Sequence, residues 1–415
     1  MRCWAFRNLG DFQNANDAGA HAQDIFSTAG DPLGLARSLT CLGNVANDQG
    51  EFATARQLHE HALALVTELG AEKDVVGALI NLGTVVQSQD DLKDATADFQ
   101  KALSTALEIA DKEDALLAED DLGNTFFTQG DFDAAKEMYQ RSLGTAGEIG
   151  DQGGMIAASV NLGVISYLRG DLAQAQQKIA DEALKAQSLG MQTYAALALS
   201  ALGDVLTAQG QDAEAEKKYR EALDICQHAN EKSFAANAQL AIASLKLEKA
   251  QTSEAEGLAR GALQEFETEK SVSQETAAHD VLAQTLVMEG KLPEAQLEID
   301  RARGLAAQDQ AILLSRSITS GRLLALTGKY DEAGEELRGA MDRATAMKLP
   351  GWQMQAALYL AQAQLLAGKV EAGRSALVEL QKQASEKGYL SISRKAAALA
   401  ASPETAARSV PASKN

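Results

Sequence analysis

Five stretches of this chain superimpose at a constant offset of forty residues: LGNVANDQGEFATA from Leu42, LGTVVQSQDDLKDA from Leu82, LGNTFFTQGDFDAA from Leu122, LGVISYLRGDLAQA from Leu162 and LGDVLTAQGQDAEA from Leu202. A period of this length marks one supersecondary unit used repeatedly, and no such unit can bury its apolar face alone, so the units must stack. A turn residue recurs at Gly10, Gly50, Asp90, Gly130, Gly170, Gly210, Ala250 and Gly290, then at Gly328 after a step of 38, and at Gly368. Five residues after each turn stands Ala15, Ala55, Ala95, Ala135, Ala175, Ala215, Ala255, Ala295 or Ala333; only Ala372 falls one place early.

Each position has a physical use. The small residue seven before the turn (Gly43, Gly83, Gly123, Gly163, Gly203) lets two helices approach closely, and the alanine after the turn is expected opposite it. The turn glycine supplies the left-handed conformation that ends a helix. The acidic residue after it (Asp11, Glu51, Asp91, Asp131, Asp171) suits the next helix's N-terminus. Phe99, Tyr139, Tyr219 and Ile299 fill the space between units. In the second unit the first helix is expected near 36–49 and the second near 52–69. Composition agrees: 46% of residues are hydrophobic but only 5% aromatic, and no proline interrupts the chain between Pro32 and Pro293. The expected fold class is all-α, with about ten antiparallel helix pairs.

The Leu-Gly, turn Gly, Ala and aromatic pattern resembles the tetratricopeptide repeat in its forty-residue form. It is similar to that of bacterial regulators, the arrays of some bacterial serine/threonine kinases, and the kinesin light chain. The resemblance covers residues 1–388, more strongly in the first six units than in the last four. It implies an α-solenoid, a right-handed superhelix whose concave groove is lined by first helices. The implied function is a non-enzymatic scaffold or adaptor holding a protein or extended peptide in that groove.

Gly10 would place the start of its first helix before Met1. The first unit is therefore read as truncated, either as a frayed half-unit or because the array is the C-terminal sensory region of a larger signalling protein, such as a kinase or transcriptional regulator. Residues 389–402 read as a capping helix, and 403–415, polar with two prolines, as a disordered tail.

With 38 basic and 58 acidic residues the net charge is −20, which argues against nucleic-acid or anionic-membrane partners. Three cysteines, Cys3, Cys41 and Cys226, are too few and scattered for a disulfide framework or a zinc site, and fit a reducing, cytoplasmic setting. No phosphate loop, nucleophile elbow or HExxH occurs, so neither cofactor nor metal is expected. His59 and His61, two apart on a helix, cannot share a metal and read as surface or inter-helix residues.

The chemistry that remains lies on the first helices. Asn44 and Asn124 are ninth in their helices and Asn81 and Asn161 sixth in the following ones, which pairs Asn44 with Asn81 and Asn124 with Asn161. An asparagine offers a donor and an acceptor, enough to bracket a peptide bond, or to fix the stacking of two helices. The resemblance implies the first use. A clamp for a C-terminal carboxylate is disfavoured, because Thr40, Leu117 and Asp121 stand where basic residues would be needed. Asp120, Asp121 and Asp204, with Asp280 further on, place negative charge in the expected groove and favour a basic ligand. Leu240, Leu247, Val281, Leu358 and Tyr359 make the later groove apolar, either as a docking strip or through tighter coiling.

Overall fold

In the computed structural model, which describes residues 2–401, the chain reverses about every twenty residues, as one helix pair per forty residues requires. Left-handed residues recur at Gly10, Gly30, Gly50, Gly70, Asp90, Ala110 and Gly130, and the series continues to Gly388. The sequence pattern exposed the turn inside each helix pair; the turn between pairs has the same geometry but a more variable residue. At the reversals marked by a left-handed residue two amides fold back on the preceding helix, as Gly50 N–H does to Asn47 O (2.9 Å) and Glu51 N–H to Ala46 O (2.8 Å).

The described residues form twenty-one helices and no strand. The chain divides into two compact units, Met1–Ala158 and Ser159–Asn415, with the boundary inside α9 (Gln152–Leu168). The first unit holds α1 (Arg2–Asn8), α2 (Phe12–Ala29), α3 (Pro32–Asp48), α4 (Phe52–Glu68), α5 (Glu72–Ser88), α6 (Leu92–Glu108), α7 (Lys112–Thr128) and α8 (Phe132–Ile149). The second holds α10 (Leu172–Ser188), α11 (Gln192–Ala208), α12 (Asp212–His228), α13 (Lys232–Glu248), α14 (Thr252–Glu269), α15 (Val272–Met288) and α16 (Leu292–Gly304). It continues with α17 (Gln310–Leu326), α18 (Tyr330–Ala346), α19 (Pro350–Leu366), α20 (Val370–Glu386) and α21 (Leu390–Ala401). Within each unit every helix packs on its sequence neighbours, and first helices such as α3, α5 and α7 also touch one another. The expected tail, 403–415, lies outside the described residues.

Local chemistry sets the helix bounds. α3 begins four residues earlier than expected because Asp31 accepts from Gly34 N–H (3.0 Å) and Pro32 occupies a first-turn position that needs no donor. Asp11, Asp91 and Asp131 cap α2, α6 and α8 in the same way. Glu51 and Asp171 hold the equivalent place without making the side-chain bond. The 38-residue step also has a cause. α16 stops at Gly304 after 13 residues, Leu305 is extended, and Asp309 then caps α17.

The residue facing each small glycine is not the alanine but the large side chain sixteen positions on. A Cβ on Gly83 would come within 2.6 Å of the Phe99 ring, and Gly43, Gly123, Gly163, Gly203 and Gly321 meet His59, Tyr139, Ile179, Tyr219 and Leu337 in turn. The alanines after the turns are fully buried nonetheless. In the sixth unit Ala243 replaces the glycine and Ala259 replaces the ring, so the pair trades volume across the contact.

The cysteine expectation is overturned. Cys3 on α1 and Cys41 on α3 form a disulfide, with Cα atoms 6.4 Å apart. Their separation of 38 residues conceals that they lie on adjacent first helices. Cys226 is free and buried.

Candidate functional site

In the first unit the candidate residues lie on α3, α5 and α7, and packing takes up part of each. Asn44 is only 8% exposed. Asn81 donates Nδ2 to its own helix at Gly77 O (2.6 Å), which leaves its carbonyl oxygen as an acceptor. Asn124 is exposed; its Oδ1 accepts from the Tyr139 hydroxyl (2.8 Å), which leaves its amide N–H groups available. Thr84, in the same register, is also exposed and bonds back to Ile80 O.

Asp120 and Asp121 behave differently from one another. Asp120 accepts from Ser142 on α8 and so is held by the second helix of its own pair, away from the role of an open groove charge. Its neighbour Glu119, buried, accepts from Arg141 (3.1 Å) and Thr145 (2.7 Å) on that same helix. Burial pushes Asp120 up to about 6 and Asp121, which also feels Asp120, up to about 7. Asp121 is half-buried in register with Asn81.

In the second unit Asn161 is half-buried on α9, and Asp204 lines a cavity of about 300 Å³. The walls come mainly from first helices, Tyr167 from α9, Asp204 from α11, Glu248 from α13, Gln284 from α15, Ser315 from α17 and Trp352 from α19, with Tyr219 from α12. Tyr389, Ser391, Ile392 and Lys395 from the C-terminal segment complete the enclosure. We refer to this space as the chamber.

Contacts between distant parts of the second unit hold the chamber together. Arg169 donates to Met347 O (2.5 Å), and Arg394 to Gly210 O (3.2 Å) and Asp212. Lys395 pairs with Glu248 (2.6 Å), which also accepts from Ser391 (3.0 Å). Tyr389, 3% exposed, packs where a Cβ on Gly170 or Gly351 would stand. α21 therefore does more than end the stack, because it lies against α11 as well as α19 and α20.

Asp204 is exposed toward the chamber, although protein atoms crowd around it. Its Oδ1 accepts from Tyr219 (2.6 Å), while no basic side chain of the described residues forms an ion pair with it. Desolvation pushes it up to about 6 despite that hydrogen bond. Burial drives the Tyr167 and Tyr219 hydroxyls far above their ordinary range, so both stay protonated. Asp280, by contrast, is 2% exposed; Gln284 (3.0 Å) and Ser315 (2.6 Å) both donate to its Oδ2, and its buried Oδ1 has no hydrogen-bond partner. Leu240, Leu247, Val281 and Leu358 are buried, so the apolar residues of the later groove serve packing.

Sequence reasoning missed the chamber because its closing contacts join residues 143 to 184 apart. For His59 the inter-helix alternative is the one the structure shows, fully buried against Gly43. A signal in the sequence favoured it, since His59 stands in register with Phe99, Tyr139 and Tyr219. Among the described residues no group of three or more His, Cys, Asp or Glu could hold a metal, and no helix is long and apolar enough to cross a membrane.

Comparison with known proteins gives a consistent picture. Tetratricopeptide repeat models match residues 34–108 and 74–148. No functionally curated protein matches the chain. Among solved structures, a Rap protein complexed with competence and sporulation factor is similar over 85% of this chain and 99% of its own, with 14% identity and a TM-score of 0.60. Aspartyl phosphate phosphatase F from Bacillus subtilis is similar over 83% and 93%, with 12% identity and a TM-score of 0.51. The apo form of RapI is similar over 67% and 98%, with 12% identity and a TM-score of 0.51. At these identities the likeness shows a shared all-α solenoid fold. The model of the MalT-like TPR region matches residues 150–401, more than half of the chain, and the protein belongs to that family.

Proposed function

We propose that the chain is a non-enzymatic module that holds a protein or extended peptide against its first helices. The observation that carries this is the exposed, partly unsatisfied polar row on the first unit. Asn124 keeps free amide donors in solvent, Thr84 precedes it by forty residues, and Asp121 lies half-buried one turn earlier on the same helix. These groups are able to pair with a peptide backbone. Asn44 and Asp120 serve stacking in this reading, and Asn81 contributes its remaining acceptor. The net charge of −20 favours a partner carrying Lys or Arg.

The test is capture of partners from a lysate by the purified chain, compared with Asn124→Ala and Asp121→Asn together. Loss of captured proteins with unchanged helicity supports the reading, and weakening as salt rises supports a basic partner. Capture that persists in the double variant removes this surface from the function.

A second reading makes the array the partner-binding or sensory region of a larger bacterial signalling protein, a kinase or a transcriptional regulator. The match to a family described as a MalT-like TPR region favours it. Genomic sequence upstream of the Met1 codon separates the two, and an in-frame stop just upstream would count against the larger protein.

A further inference from the structure

The chamber of the second unit differs from an open peptide groove, because α21 lies across one side of it. Its size, about 300 Å³, is at the lower end of the range for small-molecule sites. Two of its three ionised groups neutralise each other, since Lys395 pairs with Glu248 at 2.6 Å. Asp204 is left as a carboxylate with no cationic partner, one oxygen held by Tyr219 and the other turned to no protein donor. The rings of Tyr167, Trp352 and Tyr389 stand in the same wall set.

The Asp204 side chain is exposed to the chamber, so a cation entering it can reach the carboxylate, and no protein cation competes for that place. Aromatic rings around such a site attract cations as well, tryptophan most strongly. A metal ion would need further ligands, and the described residues offer no group of three. An anion would meet the Asp204 charge. A primary ammonium on an apolar body suits all these features: its N–H groups donate to the free carboxylate oxygen, and its body meets Leu168, Leu245 and the rings.

We propose that the second unit binds a small primary amine in this chamber, with Asp204 as counter-ion and Tyr167, Trp352 and Tyr389 as walls. The site is separate from the first-unit surface, so it stands or falls independently of peptide binding there. Because Tyr389 and Lys395 belong to the enclosure, an occupied chamber holds the C-terminal helix in place.

Titration calorimetry of the full chain with phenethylamine and butylamine, against the neutral 2-phenylethanol, tests this. The amines should bind at least about tenfold more tightly than the alcohol. Asp204→Asn keeps an acceptor for Tyr219 but removes the charge, and should erase that preference. Trp352→Leu should weaken phenethylamine while preserving the preference over the alcohol. Amide exchange in 390–401 should slow when phenethylamine is bound. Equal binding of amine and alcohol, an unchanged preference in Asp204→Asn, or no amine binding up to about 10 mM would each overturn the proposal. If Asp204→Asn loses helicity, the alcohol comparison on the native chain still decides.

Discussion

At the scale of single residues, His59 stands out as a polar ring in an apolar socket. It is fully buried on Gly43, and neither ring nitrogen has a hydrogen-bond partner. Burial, with a smaller contribution from Arg7, lowers it from 6.5 to about 4. A histidine whose folded value is depressed stabilises the fold fully above its unfolded value, and that stability is lost as pH falls from 6.5 toward 4. The loss amounts to roughly 3 kcal/mol across that window. Phe99 fills the same socket on Gly83 without a polar atom. His59→Phe should therefore stabilise α4 by about 1–3 kcal/mol at neutral pH and flatten its acid dependence. Hydrogen exchange of α4 amides at several pH values measures both effects; an unchanged slope between pH 6.5 and 4 would falsify the assignment of that slope to His59. In the opposite sense, Gly83→Ala pushes a methyl to 2.6 Å from the Phe99 ring and should cost about 1–3 kcal/mol.

Individual helices are set by their ends. Nearly all are 17 or 18 residues long because the left-handed residue returns every twenty. Glycine takes that place most often, but Ala110 and Ala250 hold it at φ 56 and 54. Alanine pays about 1 kcal/mol for this conformation, and both residues are exposed with no packing to lose. Ala110→Gly and Ala250→Gly should each stabilise the fold by about 0.5–1 kcal/mol, read as a shift in the urea midpoint. Asp90→Gly should change it less, because aspartate tolerates the left-handed region. A destabilised Ala250→Gly would show that the local strain is smaller than the backbone entropy glycine adds to the unfolded chain.

At the scale of the whole molecule the two units differ in how they are held. In the first, neighbouring helix pairs supply the contacts, with the Cys3–Cys41 disulfide joining α1 to α3. In the second, Arg169, Arg394 and Lys395 add contacts between residues 147 or more apart. Each exposed pair contributes only about 0.2–1 kcal/mol, so two together hold α21 without locking it. Arg394→Ala with Lys395→Ala should speed amide exchange in α21 about tenfold, with α14 unaffected. Uniform acceleration through the second unit would mean that these contacts support its global stability instead.

The forty-residue period was sufficient to read the helix pairs, their turns and their stacking, because each rests on contacts between residues at most one repeat apart. Local pattern carries such contacts in full: a glycine, its ring and a capping aspartate recur together. It did not reveal which polar residues remain open. Asn44 and Asp120 read as groove residues by register, yet burial claimed the first and Ser142 the second. Nor could register show that Cys3 meets Cys41 or that Lys395 meets Glu248. The helix pairs follow from neighbours along the chain, whereas the chamber depends on small rotations summed over many repeats. That sum brings α21 back against α11, and only the tertiary structure contains it.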